Sequence, residues 1–345
     1  MALAFASGTT DCSQRRIRRR GSTGFPRDPF ALMAPVADHE TVLEEEAVRQ
    51  LMVTSHGNYV DCTYGRGGHT RRILASLSGG GRLLVMDRDL TAIEHARTLL
   101  HHEPRAHVVH SRFSEMISCL DELGIDQVDG VLMDLGVSSP QLDEAHRGLS
   151  FHRDGPLDMR MDRTQGMTAA EFLAKAEERE LSDVLWRFGE ERYARRIARG
   201  IVEHRKQHVI DGTLQLADII ASSMPRREKS KHPATRSFQA LRIFINDELG
   251  ELERGLSAIV KVLVPGGRLV VISFHSLEDR MVKRFMRDMS KGRVPDGLPI
   301  RDLDVPRTLR IVGKAIKPSA AEIGRNRRSR SAVMRVAAKV GDLVA

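Results

Sequence analysis

The residues of this chain best suited to chemistry are a glycine turn and two acids. Tyr59-Val-Asp-Cys-Thr-Tyr-Gly-Arg-Gly-Gly-His-Thr70 carries a short apolar run into Gly65, Gly67 and Gly68, and Gly81-Arg-Leu-Leu-Val-Met-Asp87 follows as a second apolar run that ends on an acid. Glycine lets backbone approach a bound molecule with no side chain in between. An acid closing the second strand can accept both hydroxyls of a ribose. Together they form the plan of a nucleotide-type cofactor site at the carboxyl edge of a parallel sheet. The spacing narrows the cofactor: Gly65-Arg-Gly67-Gly68-His-Thr70 lacks the last glycine of a dinucleotide fingerprint, and no Lys-Ser or Lys-Thr closes a phosphate loop. A loop not built to wrap a pyrophosphate suits adenosine carried without phosphates, as in S-adenosyl-L-methionine. The plainer alternative is a turn that only packs helix on strand, and Asp87 weighs against it.

The second acid, Asp134, opens Asp134-Leu-Gly-Val-Ser-Ser-Pro-Gln141 at the end of another apolar run. It belongs at the same sheet edge as the Gly65 turn. There Asp134, Ser138 and Ser139 could hold an amine about to react, or the serines could simply cap a strand-end turn. Ser273-Phe-His-Ser276 leaves a later strand, so that either His275 faces the site or Ser276 caps a helix with Glu278 and Asp279 in its first turn.

Strands and helices must alternate to place these groups. Strands are expected over residues 58–62, 82–86, 106–110 and 128–133, with helices over 67–77, 90–100 and 114–123, which implies a doubly wound α/β fold. The alternation stops after Pro140. Phe172, Val184, Leu185, Trp186, Phe188, Ile197 and Ile201 read as helical core. One long helix is expected over 233–264, because Phe238, Leu241, Ile245, Leu249, Leu252 and Leu256 recur every three or four positions and Pro265-Gly-Gly267 then stops it. A strand over 267–274 and an antiparallel pair over 308–312 and 332–336 complete the sheet. The expected organisation is a basic disordered extension over 1–38, a cofactor-binding domain over 39–140 and 241–345, and an inserted all-helical domain over 141–240.

The chain has 345 residues, 41% of them hydrophobic, and a net charge of +8, a balance that suits a polyanionic partner such as nucleic acid. Only 4% are aromatic, which argues against an extended base-stacking platform. Cys12, Cys62 and Cys119 show no metal-ligand spacing, and an odd number cannot fully pair; a cytoplasmic setting without zinc or disulfides is expected. No apolar run is long enough to span a bilayer. Arg15, Arg16, Arg18, Arg19 and Arg20 mark a disordered arm, a transit peptide, or a start placed ahead of Met33.

The motifs Asp61-Cys-Thr-Tyr-Gly-Arg-Gly-Gly-His69, Asp134-Leu-Gly-Val-Ser-Ser-Pro-Gln-Leu-Asp143 and Asp154-Gly-Pro-Leu-Asp-Met-Arg-Met-Asp162 resemble those of the bacterial 16S ribosomal RNA cytosine-N4 methyltransferases. So do Tyr193-Ala-Arg-Arg-Ile-Ala-Arg199, Lys231-His-Pro-Ala-Thr-Arg-Ser-Phe-Gln-Ala240 and Ile272-Ser-Phe-His-Ser-Leu-Glu-Asp-Arg280. The resemblance runs from Asp38 to the C-terminus. It implies a class I methyltransferase Rossmann-like sheet with an inserted helical domain, and transfer of a methyl group from S-adenosyl-L-methionine to N4 of a cytidine in the decoding centre of 16S rRNA, within the small ribosomal subunit. It implies cofactor contacts at Gly67, Gly68, His69, Asp87, Phe113, Asp134 and Gln141. Gly67 and Gly68 would bring backbone N–H groups to a carboxylate at a helix start, Phe113 would cover the adenine, and Gln141 would meet a polar edge. The sulfonium methyl is already activated, so in-line transfer asks mainly for alignment, and Asp134, Ser138 and Ser139 are the candidates for holding the amine. Amino-methyltransferases of the DNA type often carry an Asp/Asn-Pro-Pro-aromatic turn here; Ser138-Ser-Pro-Gln141 replaces it and leaves the amine acceptor open.

For RNA phosphates the candidates are Lys231, His232, Arg236 and Arg242, then Arg195, Arg196 and Arg199, then Arg325, Arg327, Arg328 and Arg330; a solvated charged face is the alternative for each group. Competing functions are a mitochondrial relative, a DNA amino-methyltransferase, a catalytically silent RNA-binding or assembly factor and, least of all, a dehydrogenase. A homodimer is left open.

Overall fold

The computed structural model describes residues 40–225, 232–292, 305 and 307–341. The basic start, Cys12 and Lys231 lie outside the described residues.

The chain begins with α1 (Glu44–Leu51), then alternates β1 (Asn58–Asp61), α2 (Gly68–Ser76), β2 (Arg82–Asp87), α3 (Leu90–Leu99), β3 (Ala106–His110), α4 (Met116–Glu122) and β4 (Val128–Asp134). After the short α5 (Ser139–Asp143), described residues up to the next strand are helical or irregular: α6 (Ala169–Lys175), α7 (Glu178–Gly189), α8 (Ala194–Arg205), α9 (Thr213–Ser223), α10 (Thr235–Ile245) and α11 (Glu248–Val262). Then come β5 (Leu263–Ser273), α12 (Ser276–Lys291), β6 (Leu309–Ile311), α13 (Ala320–Arg325) and β7 (Val333–Lys339).

The sheet order is β3-β2-β1-β4-β5-β7-β6. Strands β1 to β5 pair in parallel, and β7 runs antiparallel to both β5 and β6. The central strands are nearly continuous apolar runs because helices cover both faces. The chain winds outward in one direction from β1 and in the other from β4, so the carboxyl ends of these neighbours form the crevice where such sheets hold ligands. Apolar side chains gather in two cores. One, with Val60, Leu84, Met133, Leu256 and Val271, lies against the sheet. The other, with Phe172, Leu185, Ile197, Ile220 and Phe238, lies among the helices.

The long helix expected over 233–264 is two helices. It breaks at Asn246 and Asp247, and Asp247 takes a left-handed backbone at φ 47°. The buried Asn246 side chain holds the break: its Nδ2 donates to the Met159 carbonyl at 2.8 Å, and its Oδ1 accepts from Met161 N–H at 2.7 Å. Those bonds fix the Asp154–Asp162 motif to the helix pair, a tertiary demand that apolar periodicity does not report. The second helix ends at Val262 rather than at Pro265, and β5 starts at once.

Candidate active site

A cavity of about 720 Å³ opens at the carboxyl edge of the sheet. Thr63 Oγ1, after β1, accepts from the Asp134 N–H, at the end of β4, at 2.7 Å and ties the two halves of the crevice together. Of the residues singled out by sequence, Gly68, His69, Asp87, Phe113, Asp134, Ser138, Ser139 and Gln141 line the cavity. Gly67 does not. It caps α2 with φ 76°, and an added Cβ would lie 2.6 Å from the Tyr64 ring, so the absence of a side chain there serves the turn. At Gly68 a Cβ would collide with Thr41.

Asp87 already organises the loop. Its carboxylate accepts from Gly65 N–H at 2.9 Å and from Asp89 N–H at 2.8 Å, and burial raises its pKa to about 6. Each oxygen keeps a lone pair for a further donor. Behind it, Asp89 pairs with the buried Arg147 at 2.8 Å and accepts from Gln141 Nε2 at 2.6 Å. Gln141 Oε1 in turn accepts from Ser138 N–H at 2.8 Å. The amide of Gln141 thus braces α5 against the Asp87 loop, a role its sequence context did not announce.

Asp134 is the least compensated acid. Its Oδ1 is buried without a hydrogen-bond partner, and its Oδ2 lies 3.7 Å from His69 Nδ1. Burial first, then the nearby Asp61 and Glu278, raises its pKa well above the ordinary carboxylate range. Burial lowers His69 to about 4, so the ring is neutral at physiological pH and its Nε2 has no partner. Ser138 faces the glycine turn, with its Cβ 3.8 Å from where a Gly65 Cβ would stand. Phe113 packs on Gly255 of α11, and its loop is anchored by Ser114 N–H and Oγ donating to buried Glu251 at 2.8 and 2.9 Å.

The helix break and the end of β5 supply the remaining wall. Arg242 and Glu248 meet across the break in a bidentate pair at 2.7 and 2.8 Å. After β5, α12 is capped by His275 rather than by Ser276: His275 Nδ1 accepts from Glu278 N–H at 3.4 Å, while Glu278 Oε2 accepts from the N–H groups of Phe274 and His275. His275 also lines the cavity, with its buried Nε2 3.1 Å from Glu278 Oε1.

Two distant segments close the rim. Leu43 N–H donates to buried Glu322 at 2.8 Å, Arg325 forms a forked pair with Glu40 at 2.8–3.2 Å, and Asn326 Nδ2 donates to the Glu40 carbonyl at 2.8 Å. Arg328 reaches Asp143 of α5 at 2.7 Å. Arg327, Arg328 and Arg330 line the cavity, whereas Arg195, Arg196 and Arg199 do not; they lie exposed on α8. His232 stacks on Phe151 with ring centroids 4.6 Å apart.

The residues present fit an adenosine-sized cofactor. The cavity volume lies within the roughly 300–1,000 Å³ typical of ligand pockets. Asp87 offers free lone pairs, and Asp134 Oδ1 and His69 Nε2 on the lining are unpartnered. Residues 36–340 match the MraW methylase family. The chain belongs to that family. It is 52% identical over 312 residues to Ribosomal RNA small subunit methyltransferase H of Pseudoalteromonas atlantica, covering 89% of this chain and 100% of that one. It is 54% identical over 311 residues to the protein of the same name from Aromatoleum aromaticum, covering 90% and 99%. Among solved structures, an rRNA methylase from Streptococcus thermophilus aligns over 86% of this chain and 94% of its own at 10% identity and a TM-score of 0.38, a likeness too distant to add to the assignment.

In this MraW methylase the wall residues that sequence reasoning passed over are Arg242 as a cavity group, Glu248, Glu251 and Glu278. Their signal was present only as charged residues on amphipathic helices, which usually point to solvent. Here each is turned inward by the break at Asn246 or by the cap of α12.

Proposed function

We propose that the chain transfers a methyl group from S-adenosyl-L-methionine to the exocyclic N4 amine of a cytidine in the decoding centre of 16S rRNA, acting on the small ribosomal subunit. The observation that carries this reading is the meeting of Asp87 and the uncompensated Asp134 on one cavity, in a chain more than half identical to small-subunit rRNA methyltransferases along its length.

S-adenosyl-L-methionine supplies a methyl group already activated on a sulfonium. Asp87 would accept the ribose hydroxyls, adding donors to a carboxylate that two backbone N–H groups already orient. Phe113 would cover the adenine face, and the N–H groups at the start of α2, beside Gly68 and His69, would meet the methionine carboxylate. Asp134 would accept a hydrogen bond from the cytosine amine at its free Oδ1 and take the proton as the new N–C bond replaces the methyl's C–S bond, the neutral thioether being the leaving group. A carboxyl with raised proton affinity is the better base for that step. Ser138 and Ser139 would hold the base against the glycine turn. Alignment in such a cavity supplies most of the acceleration, up to about 7–11 kcal/mol. In this reading residues 39–140 and 241–345 form the methyltransferase domain and residues 141–240 a helical RNA-recognition domain.

The test is methyl transfer from labelled cofactor to small subunits that lack the modification, followed by nucleoside mass analysis. Label in N4-methylated cytidine, absent with Asp87→Ala, supports the reading. Cofactor binding without transfer to any small-subunit RNA overturns it.

A further inference from the structure

We propose that Arg327 and Arg330 form a clamp for the RNA backbone at the cavity mouth, gripping phosphate beside the nucleotide to be methylated. The proposal rests on the methyltransferase reading and names the part of the surface that meets the substrate.

The segment Arg327–Ser331 is a 3-10 turn. With three residues per turn, side chains at i and i+3 eclipse, so Arg327 and Arg330 stand on one face. Both are exposed and both line the cavity. Between them, Ser329 is fully buried, and its Oγ donates to the Asn326 carbonyl at 2.7 Å. Asn326 Oδ1 accepts from Arg328 N–H at 3.1 Å, and Ala332 N–H donates to the Ser329 carbonyl at 2.8 Å just before β7 begins. The turn is therefore mounted directly on a strand of the sheet.

The surrounding charges explain why these two guanidinia are available. Glu40 is taken by Arg325, Asp143 by Arg328, and Glu144 has Arg66 at 3.9 Å and His146 at 3.6 Å. Among the described residues, Arg327 and Arg330 make no ion pair. Two free guanidinia on one rigid face match the forked geometry of phosphate oxygens. A base reaching the amine-holding end of the cavity must carry its backbone past this rim, because the target has to be turned out of its stack. The α8 arginines lie off the cavity and lack this placement.

A carboxylate shares enough chemistry with phosphate that the methionine end of the cofactor is the other candidate anion, and the experiment separates the two. Arg327→Gln/Arg330→Gln is compared with the wild type for cofactor affinity by calorimetry, and for affinity to a short fluorescein-labelled single-stranded RNA across a salt series. The clamp predicts RNA binding weakened by about tenfold at physiological salt and a slope of log K against log[salt] shallower by about 1.4, two contacts at ~0.7 each. Cofactor affinity stays unchanged, and Arg327→Lys/Arg330→Lys restores the slope. A loss of cofactor affinity with an unchanged salt slope overturns the clamp in favour of the carboxylate. No change in either overturns it outright. If the wild type methylates no small-subunit RNA while the slope still falls, the methyltransferase reading fails and the clamp stands.

Discussion

Asp87 and Asp134 are both half-buried acids on one cavity, but their surroundings set them to different work. Asp87 is held by two backbone donors and raised from the ordinary 3.8 to about 6. Between those values the folded protein keeps a proton that the unfolded chain has released, so the ionised form costs stability above pH 3.8, a cost complete above about pH 6. Hydroxyl donors favour the ionised form. Cofactor binding near pH 6 should therefore release a proton, measurable as a buffer-dependent calorimetric enthalpy, and affinity should fall as pH drops below about 6. Asp134 has no donor at Oδ1. Asp134→Ala should lower methyl transfer by about 100-fold or more, the range of a lost general base, in single-turnover assays with saturating cofactor. These acids were legible in sequence because a strand-end acid needs only local pattern. The Arg242–Glu248 pair was not, because its two members meet only across a helix break.

That break is the element on which the wall depends. The apolar spacing from Phe238 to Leu256 runs straight through it, so periodicity describes one helix, and the deciding bonds come from the far-off Met159 and Met161. Asn246→Ala leaves the Met161 N–H and the Met159 carbonyl without partners and should cost about 2–4 kcal/mol in urea unfolding, two buried groups at ~1–2 kcal/mol each. Gly67→Ala meets both a left-handed backbone and the Tyr64 ring, and should cost at least about 1–2 kcal/mol. The strands and helices from β1 to β4 were readable to within a residue or two, whereas α1 was not read and the second strand of the closing pair runs three residues past the expected 336. Of the two readings left open at the start of α12, His275 facing the site holds, and His275 rather than Ser276 is also the cap.

On the scale of the whole molecule, cofactor and fold should be linked. At a free concentration of 100 times Kd the cofactor should stabilise the protein by about 2.7 kcal/mol, seen as a raised melting temperature that Asp87→Ala abolishes. Folding order follows from the bond between Leu43 and Glu322, whose partners are 279 residues apart. A chain made from its N-terminus onward exposes β1 to β4 early, but Leu43 waits for Glu322, the rim waits for Arg327, and β6 gains its sheet partner only when β7 arrives. The cavity is therefore among the last features to be completed during synthesis. A chain stalled before Ser319 should leave residues 40–51 open to protease and bind no cofactor, while a chain that includes β7 resists there and binds. The nascent enzyme, emerging from a ribosome that carries the RNA it is proposed to modify, is thereby expected to stay silent until β7 has emerged.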